Sequence, residues 1–155
     1  MKKIIILILT LTYCFSQEAI VQFVIGKVEY QVQGKGAWKR LLSSSRLSEG
    51  DQLRSSFESR AEIKMPDETI IKLKENSLLE IKMIKEVGNK KKANKIFLWA
   101  GSIWAKFKKV FSDEEENTVS TVTAVAAIRG TEFGMEVNSS GCTIIRLKSG
   151  RIEIR

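Results

Sequence analysis

The sequence predicts an all-β domain: a compact two-sheet sandwich or roll of short antiparallel strands, with a short β-helix-like solenoid as the alternative closure. Three observations carry this. Apolar and polar residues alternate with a period of two in segment after segment, which sends each apolar set to one face. Turn-forming residues separate these segments about every eight to twelve residues. No helix can be read after residue 16.

The first element is not part of that domain. Lys2 and Lys3 precede an apolar run from Ile4 to Tyr13, and the small residues Cys14 and Ser16 then frame a cut before Gln17. A basic end, an apolar run of about ten residues and a small-x-small site read as a secretory signal peptide, residues 1–16. The run is short of the roughly 20 residues that span a bilayer. An uncleaved anchor, extended by Phe15, and a lipidated Cys14 are the alternatives; the large Tyr13 before Cys14 speaks against the second. Residues 17–155 are then a single domain.

Within it, Val28, Tyr30 and Val32 alternate with Lys27, Glu29 and Gln31 before a turn at Gly34-Lys35-Gly36. A strand begins at Gln52 after Gly50-Asp51. Ala61, Ile63 and Met65 alternate with Glu62 and Lys64 up to the turn Pro66-Asp67. Ile70 to Leu73 follows, and Leu79, Ile81 and Met83 alternate with Glu80 and Lys82. Residues 85 to 95 read as an exposed loop. Ile96 to Trp99 and Ser102 to Lys108 are expected to form a hairpin turning at Ala100-Gly101, with a second polar loop at residues 112–117. Val119 to Phe133 reads as one long small-residue strand running into an Arg129-Gly130-Thr131 corner, in which Ala124, Ala126 and Ala127 allow two sheets to approach. Phe133 to Val137 and Thr143 to Leu147 flank a turn at Asn138 to Gly141, and Ser149-Gly150 turns into a last strand with Ile152 and Ile154. Cys142, alone once residues 1–16 are removed, forms no internal disulfide and is expected to be a small buried strand residue.

Composition limits the chemistry. The chain has no histidine, which excludes His-based general base catalysis and His metal ligation. No nucleophile elbow, phosphate loop or metal-ligand cluster is present, so no catalytic, cofactor or metal residue is assigned. Asp51 and Asp67 are explained by their turns. A net charge of +8 includes a basic segment at lysines 82, 85, 90–92, 95, 106, 108 and 109. Export argues against nucleic acid as its partner, and a solvated surface or a guarded strand edge is the simpler reading.

Two sets of residues are candidates for contact with a partner or ligand. Arg129 carries a fork of five donors beside Thr131, able to hold a carboxylate or backbone carbonyls, or to tie two loops within the domain; the tie is the favoured reading, on the view that a buried arginine must be paired. Trp104, Lys106 and Lys108 share one face of a strand with Ser102, opposite the apolar set Ile103, Ala105 and Phe107. An outward Trp104 among lysines suits a sugar ring, an acidic glycan or a protein, and equally a tryptophan packed over lysine stems. Trp99 and Trp38 read as core or rim.

The motifs in order resemble the FecR domain. They are Gly26-Lys27-Val28 leading to Trp38, Leu47-Ser48-Glu49-Gly50-Asp51-Gln52-Leu53-Arg54, Ser59 to Met65, Asp67 to Leu73, Asn76-Ser77, Gly101 with Ile103, and above all Val119 to Phe133. The similarity spans residues 23–155. Sensor regulators of this family carry a cytoplasmic sigma-factor-binding segment and a transmembrane helix ahead of the domain, and an extension after it. Here a signal peptide is read in first place. The resemblance therefore implies a fold, a place outside the inner membrane and a binding role, and not direct sigma-factor regulation. The expectation is an exported, non-enzymatic domain, periplasmic or at the bacterial surface, that binds an envelope protein as an accessory to signalling or assembly. A cell-wall or surface glycan module using Trp104 is the alternative, and a carboxylate-based hydrolase a second one.

Overall fold

A computed structural model describes residues 17–84, 93–108 and 117–155. The predicted signal peptide, residues 85–92 of the predicted loop 85–95 and residues 112–116 of the predicted loop 112–117 lie outside the described residues, as do residues 109–111; Asn117, expected in the second loop, is instead buried at the start of a strand. Twelve strands are described: β1 (Ala19–Ile25), β2 (Val28–Gln31), β3 (Lys39–Arg40), β4 (Arg46–Leu47), β5 (Gln52–Ser55), β6 (Arg60–Lys64), β7 (Ile70–Leu73), β8 (Leu78–Met83), β9 (Lys95–Lys106), β10 (Asn117–Ser120), β11 (Val125–Val137) and β12 (Thr143–Ile154). The described residues are all-β apart from one 3-10 turn at Val32–Gly34, as predicted. Hydrogen bonding links all twelve strands into one curled sheet.

The curl produces two layers. One runs β3-β2-β5-β8 to the first half of β9, then β10, the first half of β11 and the second half of β12. The other runs β4-β1-β6-β7 to the second half of β9, the second half of β11 and the first half of β12. Every described pairing is antiparallel except β9 with β10. Leu53, Leu79, Ile81, Leu98 and Ile128 from one layer meet Ile63, Ile71, Leu73, Ile103 and Phe133 from the other in a single buried cluster. The predicted alternations bury Ala61, Ile63 and Met65, Leu79 and Ile81, and Ile103, Ala105 and Phe107 as expected, whereas Val32 is exposed in a 3-10 turn that ends its strand and Met83 is only half-buried.

Between the layers the chain bends through one corner device, built three times among the described residues. A residue at positive φ precedes a buried hydroxyl: Glu58 before Ser59, Asn76 before Ser77, Gly130 before Thr131. Each hydroxyl donates to the carbonyl two residues back, at 2.9–3.0 Å. Each also accepts the N–H that follows a glycine bend on the neighbouring strand: Lys27 after Gly26 (2.8 Å), Ser102 after Gly101 (2.8 Å) and Arg151 after Gly150 (3.2 Å). The glycines are required twice over. Their φ values are +73°, +80° and +94°, and a Cβ would lie 2.4 Å from Ser59 Oγ, 2.3 Å from Ser77 Oγ and 2.5 Å from the Gly130 carbonyl respectively.

This device corrects several expectations. Gly101 and Gly150 do not reverse the chain; they bend continuous strands from one layer to the other. The stretch from Val119 to Phe133 is not one strand. Thr121 to Ala124 is a turn, closed by the Thr121 N–H on the Ala124 carbonyl (2.8 Å) and by the Thr121 hydroxyl, which accepts the Thr123 and Ala124 N–H groups. Ala126 and Ala127 are buried as expected, and Ala124 belongs to the turn. Ala93 and Asn94 are buried rather than looped out, because Asn94 is held by Asn117 and Asp67. Cys142 is exposed, not buried: it lies outside the strand, in the turn closed by Asn138 Oδ1 on its N–H.

The two edges of the sheet differ. On one side β3 and β4 are two residues each, and the segment joining them crosses both layers. It bonds to Val28 of one layer through Leu41 and to Val21 of the other through Ser44 and Ser45. It also seats Leu41 and Leu47 fully in the core. On the other side β12, twelve residues long, pairs with β11 alone among the described residues.

Candidate functional site

Trp104 and Lys106 share the outer face of β9 and exposed Lys108 follows just past its end, while Ile103, Ala105 and Phe107 are buried. Trp104 stands between Lys72 of β7 and Gly134 of β11. It borders a groove of about 770 Å³ together with Phe23, Ile25, Arg60, Lys72 and Lys74. Its ring is not open on both faces: the Lys72 ammonium lies 5.0 Å from the ring centroid and is itself paired with Glu62 at 3.2 Å. Lys106 is exposed between Ile70 and Glu132, and Lys108 pairs with Glu68.

All three tryptophans of the chain share this arrangement. Arg54 covers Trp38 at 4.3 Å and pairs with Glu29; Lys82 covers Trp99 at 5.8 Å and pairs with Glu80. The three glutamates are each less than a fifth exposed, so these triads belong to the packing of the outer faces. The Glu80 triad is the most elaborate. Burial pushes its carboxyl up, but hydrogen bonds from Lys82, Trp99 and Gln52 and the charge of Lys82 outweigh burial and hold it below its ordinary value.

The Arg129-Gly130-Thr131 corner divides its work differently from the sequence expectation. Arg129 is exposed, not buried, and faces Arg151 across the ladder. The tie between segments is made by Thr131, whose one hydroxyl proton is shared between the Arg151 carbonyl at 2.7 Å and the Arg129 carbonyl at 3.0 Å, and whose oxygen accepts the Arg151 N–H. The Thr131 carbonyl also accepts the Phe107 N–H, so one residue joins β11, β12 and the end of β9. Thr131 therefore sets the bend of β12.

The sequence reading foresaw strand at Thr143 to Leu147 and at Ile152 and Ile154, but not that they form one bent strand at the edge of the sheet. Ile145, Leu147, Ile152 and Ile154 lie opposite Met135, Phe133, Ile128 and Ala126, all buried, and so point to the core side. Yet Leu147 is 53% and Ile154 62% exposed, because no further strand lies beyond them among the described residues. The outer face of β12 carries Arg146, Lys148, Arg151 and Arg155 against one acid, Glu153. The structure thus brings Arg129 and Thr131 beside this open edge and leaves Trp104, Lys106 and Lys108 on the adjoining outer face. The clustering of cations on the last strand was the available signal, since lysine and arginine guard exposed edges.

A sequence profile of the FecR protein family matches residues 51–153. No curated protein matches the chain in sequence. Two crystal structures of a candidate anti-sigma factor from Parabacteroides distasonis ATCC 8503, at 2.50 and 1.65 Å resolution, share its fold. Their TM-scores are 0.55 and 0.53 at 12% identity, and each match covers 66% of this chain and 46% of the other. The present chain therefore corresponds to less than half the length of that protein. With the profile covering most of the domain and the fold agreeing, the chain belongs to the FecR protein family.

Proposed function

We propose that this domain is a non-enzymatic binding module of the bacterial cell envelope that engages a partner protein in signalling. Membership of the FecR family supports an envelope signalling role. One observation carries the binding reading: among the described residues the roll is sealed by Leu41 and Leu47 at one edge and left open along β12, where core-facing Leu147 and Ile154 remain exposed. A partner laid on that edge removes exposed apolar surface and gains main-chain hydrogen bonds without any change in the framework. The glycan reading needs an open aromatic face at Trp104, and Lys72 lies over that ring.

The test is photo-crosslinking in cells from position 147 or 154, with position 42 at the sealed edge as reference. The expected result is a discrete adduct with one envelope protein from 147 and 154 and none from 42. Equal adducts from all three positions, or capture of wall fragments alone that is lost with Trp104→Ala, overturns the proposal.

A further inference from the structure

Resting on that reading, we infer that β12 accepts an added strand from a different protein, an extended segment whose residues alternate between apolar and acidic, and not a second copy of this chain. At one end Arg155 and Val125 exchange both backbone hydrogen bonds, at 2.9 and 3.0 Å. At the other end Asn138 donates to the Cys142 carbonyl at 3.1 Å. In an antiparallel ladder, residues alternate between bonding the partner and turning N–H and C=O away from it. Counting from both ends, Ile145, Leu147, Ile152 and Ile154 turn these groups outward. They are the same four residues whose side chains face the core. An incoming strand that bonds to them places its alternate side chains over Leu147 and Ile154, where apolar residues complete the core. Its remaining side chains fall on the outer face, beside Arg146, Lys148, Arg151 and Arg155; Glu136 and Glu132 of β11 pair with Arg146 and Lys148 from the inner side, and Glu153, the only acid of β12, pairs with Arg155, so that the cations remain the groups nearest the incoming strand.

That charge row chooses the occupant. Two β12 strands paired with each other would set outer face against outer face, mostly cation against cation, which is unfavourable across a ladder. Acidic residues at the same positions are favourable, and the domain's net positive charge, 24 basic against 18 acidic residues once Lys2 and Lys3 are set aside, steers such a segment toward it. The bend at Gly150 adds a further condition. A segment spanning both halves of β12 must itself bend there, as Gly130 lets β11 do.

The test uses the chain with two labelled peptides of about ten residues. Each alternates valine or threonine with glutamate, or with lysine, around a central glycine. The glutamate peptide is expected to bind, to protect the Ile145, Leu147, Ile152 and Ile154 amides from exchange, and to weaken as salt is raised. The lysine peptide is expected to bind at least about tenfold more weakly. Ile154→Pro removes an outward N–H without breaking a bond to β11, and should weaken the glutamate peptide several-fold while leaving core amide shifts in place. Equal affinity for both peptides, protection centred on the Trp104 groove, or concentration-dependent self-association that the peptide competes away overturns the inference. If crosslinks form from 147 and 154 in cells while neither peptide binds, the inference fails and the parent reading stands. If both experiments are negative, both fail.

Discussion

The sealed edge and the open edge of this roll are built from the same kinds of residue, yet they end the sheet in opposite ways. At the β3–β4 edge the strands are two residues long, and the connecting segment folds back across both layers to seat Leu41 and Leu47 in the core. Little ladder is left to pair with another chain. At the β12 edge a twelve-residue strand offers its whole length, with core-facing side chains exposed and cations on the outside. Short strands and covering loops are the usual protection against edge-to-edge association, and charged residues are the weaker substitute. The difference teaches that composition alone does not mark a docking edge. What marks it is a long ladder with one strand neighbour among the described residues, whose inward Leu147 and Ile154 stay more than half exposed.

The corner device lets this comparison be broken in steps. Gly101 sits mid-sheet, where a Cβ meets the Asn76 carbonyl at 2.4 Å and Ser77 Oγ at 2.3 Å between strands held on both sides. Gly101→Ala is expected to cost about 4 kcal/mol in urea unfolding, from overpacking plus left-handed strain. Gly150→Ala meets a similar clash on a strand with one neighbour that can move outward, so about half that loss is expected, with the amides that lose protection confined to β12. A comparable loss of protection throughout the sheet would contradict the independence of the edge.

Side-chain truncation gives the next contrast. Leu79 is fully buried, and Leu79→Ala should cost about 3 kcal/mol; Leu147→Ala, at a half-exposed position, should cost less than about 1 kcal/mol, read as a smaller shift in the urea midpoint. Removing the staples follows. Ser77→Ala orphans the Ser102 N–H and should cost about 2 kcal/mol. Thr131→Val orphans the N–H of exposed Arg151, which water can reach, and should cost about 1 kcal/mol.

The smallest effect is one of pH. Glu80 titrates below its ordinary value of 4.5. A carboxyl with a lowered folded value adds stability that is present above its unfolded value and lost as the pH falls through the folded one. Glu80→Gln should therefore be less stable than the parent above pH 4.5, and the gap should close as the pH is lowered below it. A gap that does not change with pH would show that the Lys82, Trp99 and Gln52 bonds act on shape rather than on charge.

Much of the fold was legible in the sequence, because alternation fixes which face of a strand is buried wherever the pattern is clean, as at Ala61, Ile63 and Met65. The corners were misread because a glycine at a bend and a glycine at a reversal leave the same local mark. A different signal held the answer. Ser59-Arg60-Ala61-Glu62-Ile63-Lys64-Met65 and Ser77-Leu78-Leu79-Glu80-Ile81-Lys82-Met83 share Ser, Glu, Ile, Lys and Met at the same offsets, and both serines are corner staples. Of the candidate contact residues, Trp104 and its lysines were placed on the correct face, whereas the lysine lying over the indole comes from β7, a strand distant in sequence. The open edge was hidden for the same reason. Thr143 to Lys148 alternates like any half-buried strand; its cations hint at an edge, and the sheet order shows that no further strand lies beyond it among the described residues.

Amide hydrogen exchange of the isolated chain, read residue by residue, tests the central claim most directly. The account predicts fast exchange at Ile145, Leu147, Ile152 and Ile154, whose N–H groups point off the sheet, beside strong protection at Lys27 and Ser102, whose N–H groups are stapled by Ser59 and Ser77. Protection of the four β12 amides equal to that of the staples would mean that the edge is already covered, and would contradict it.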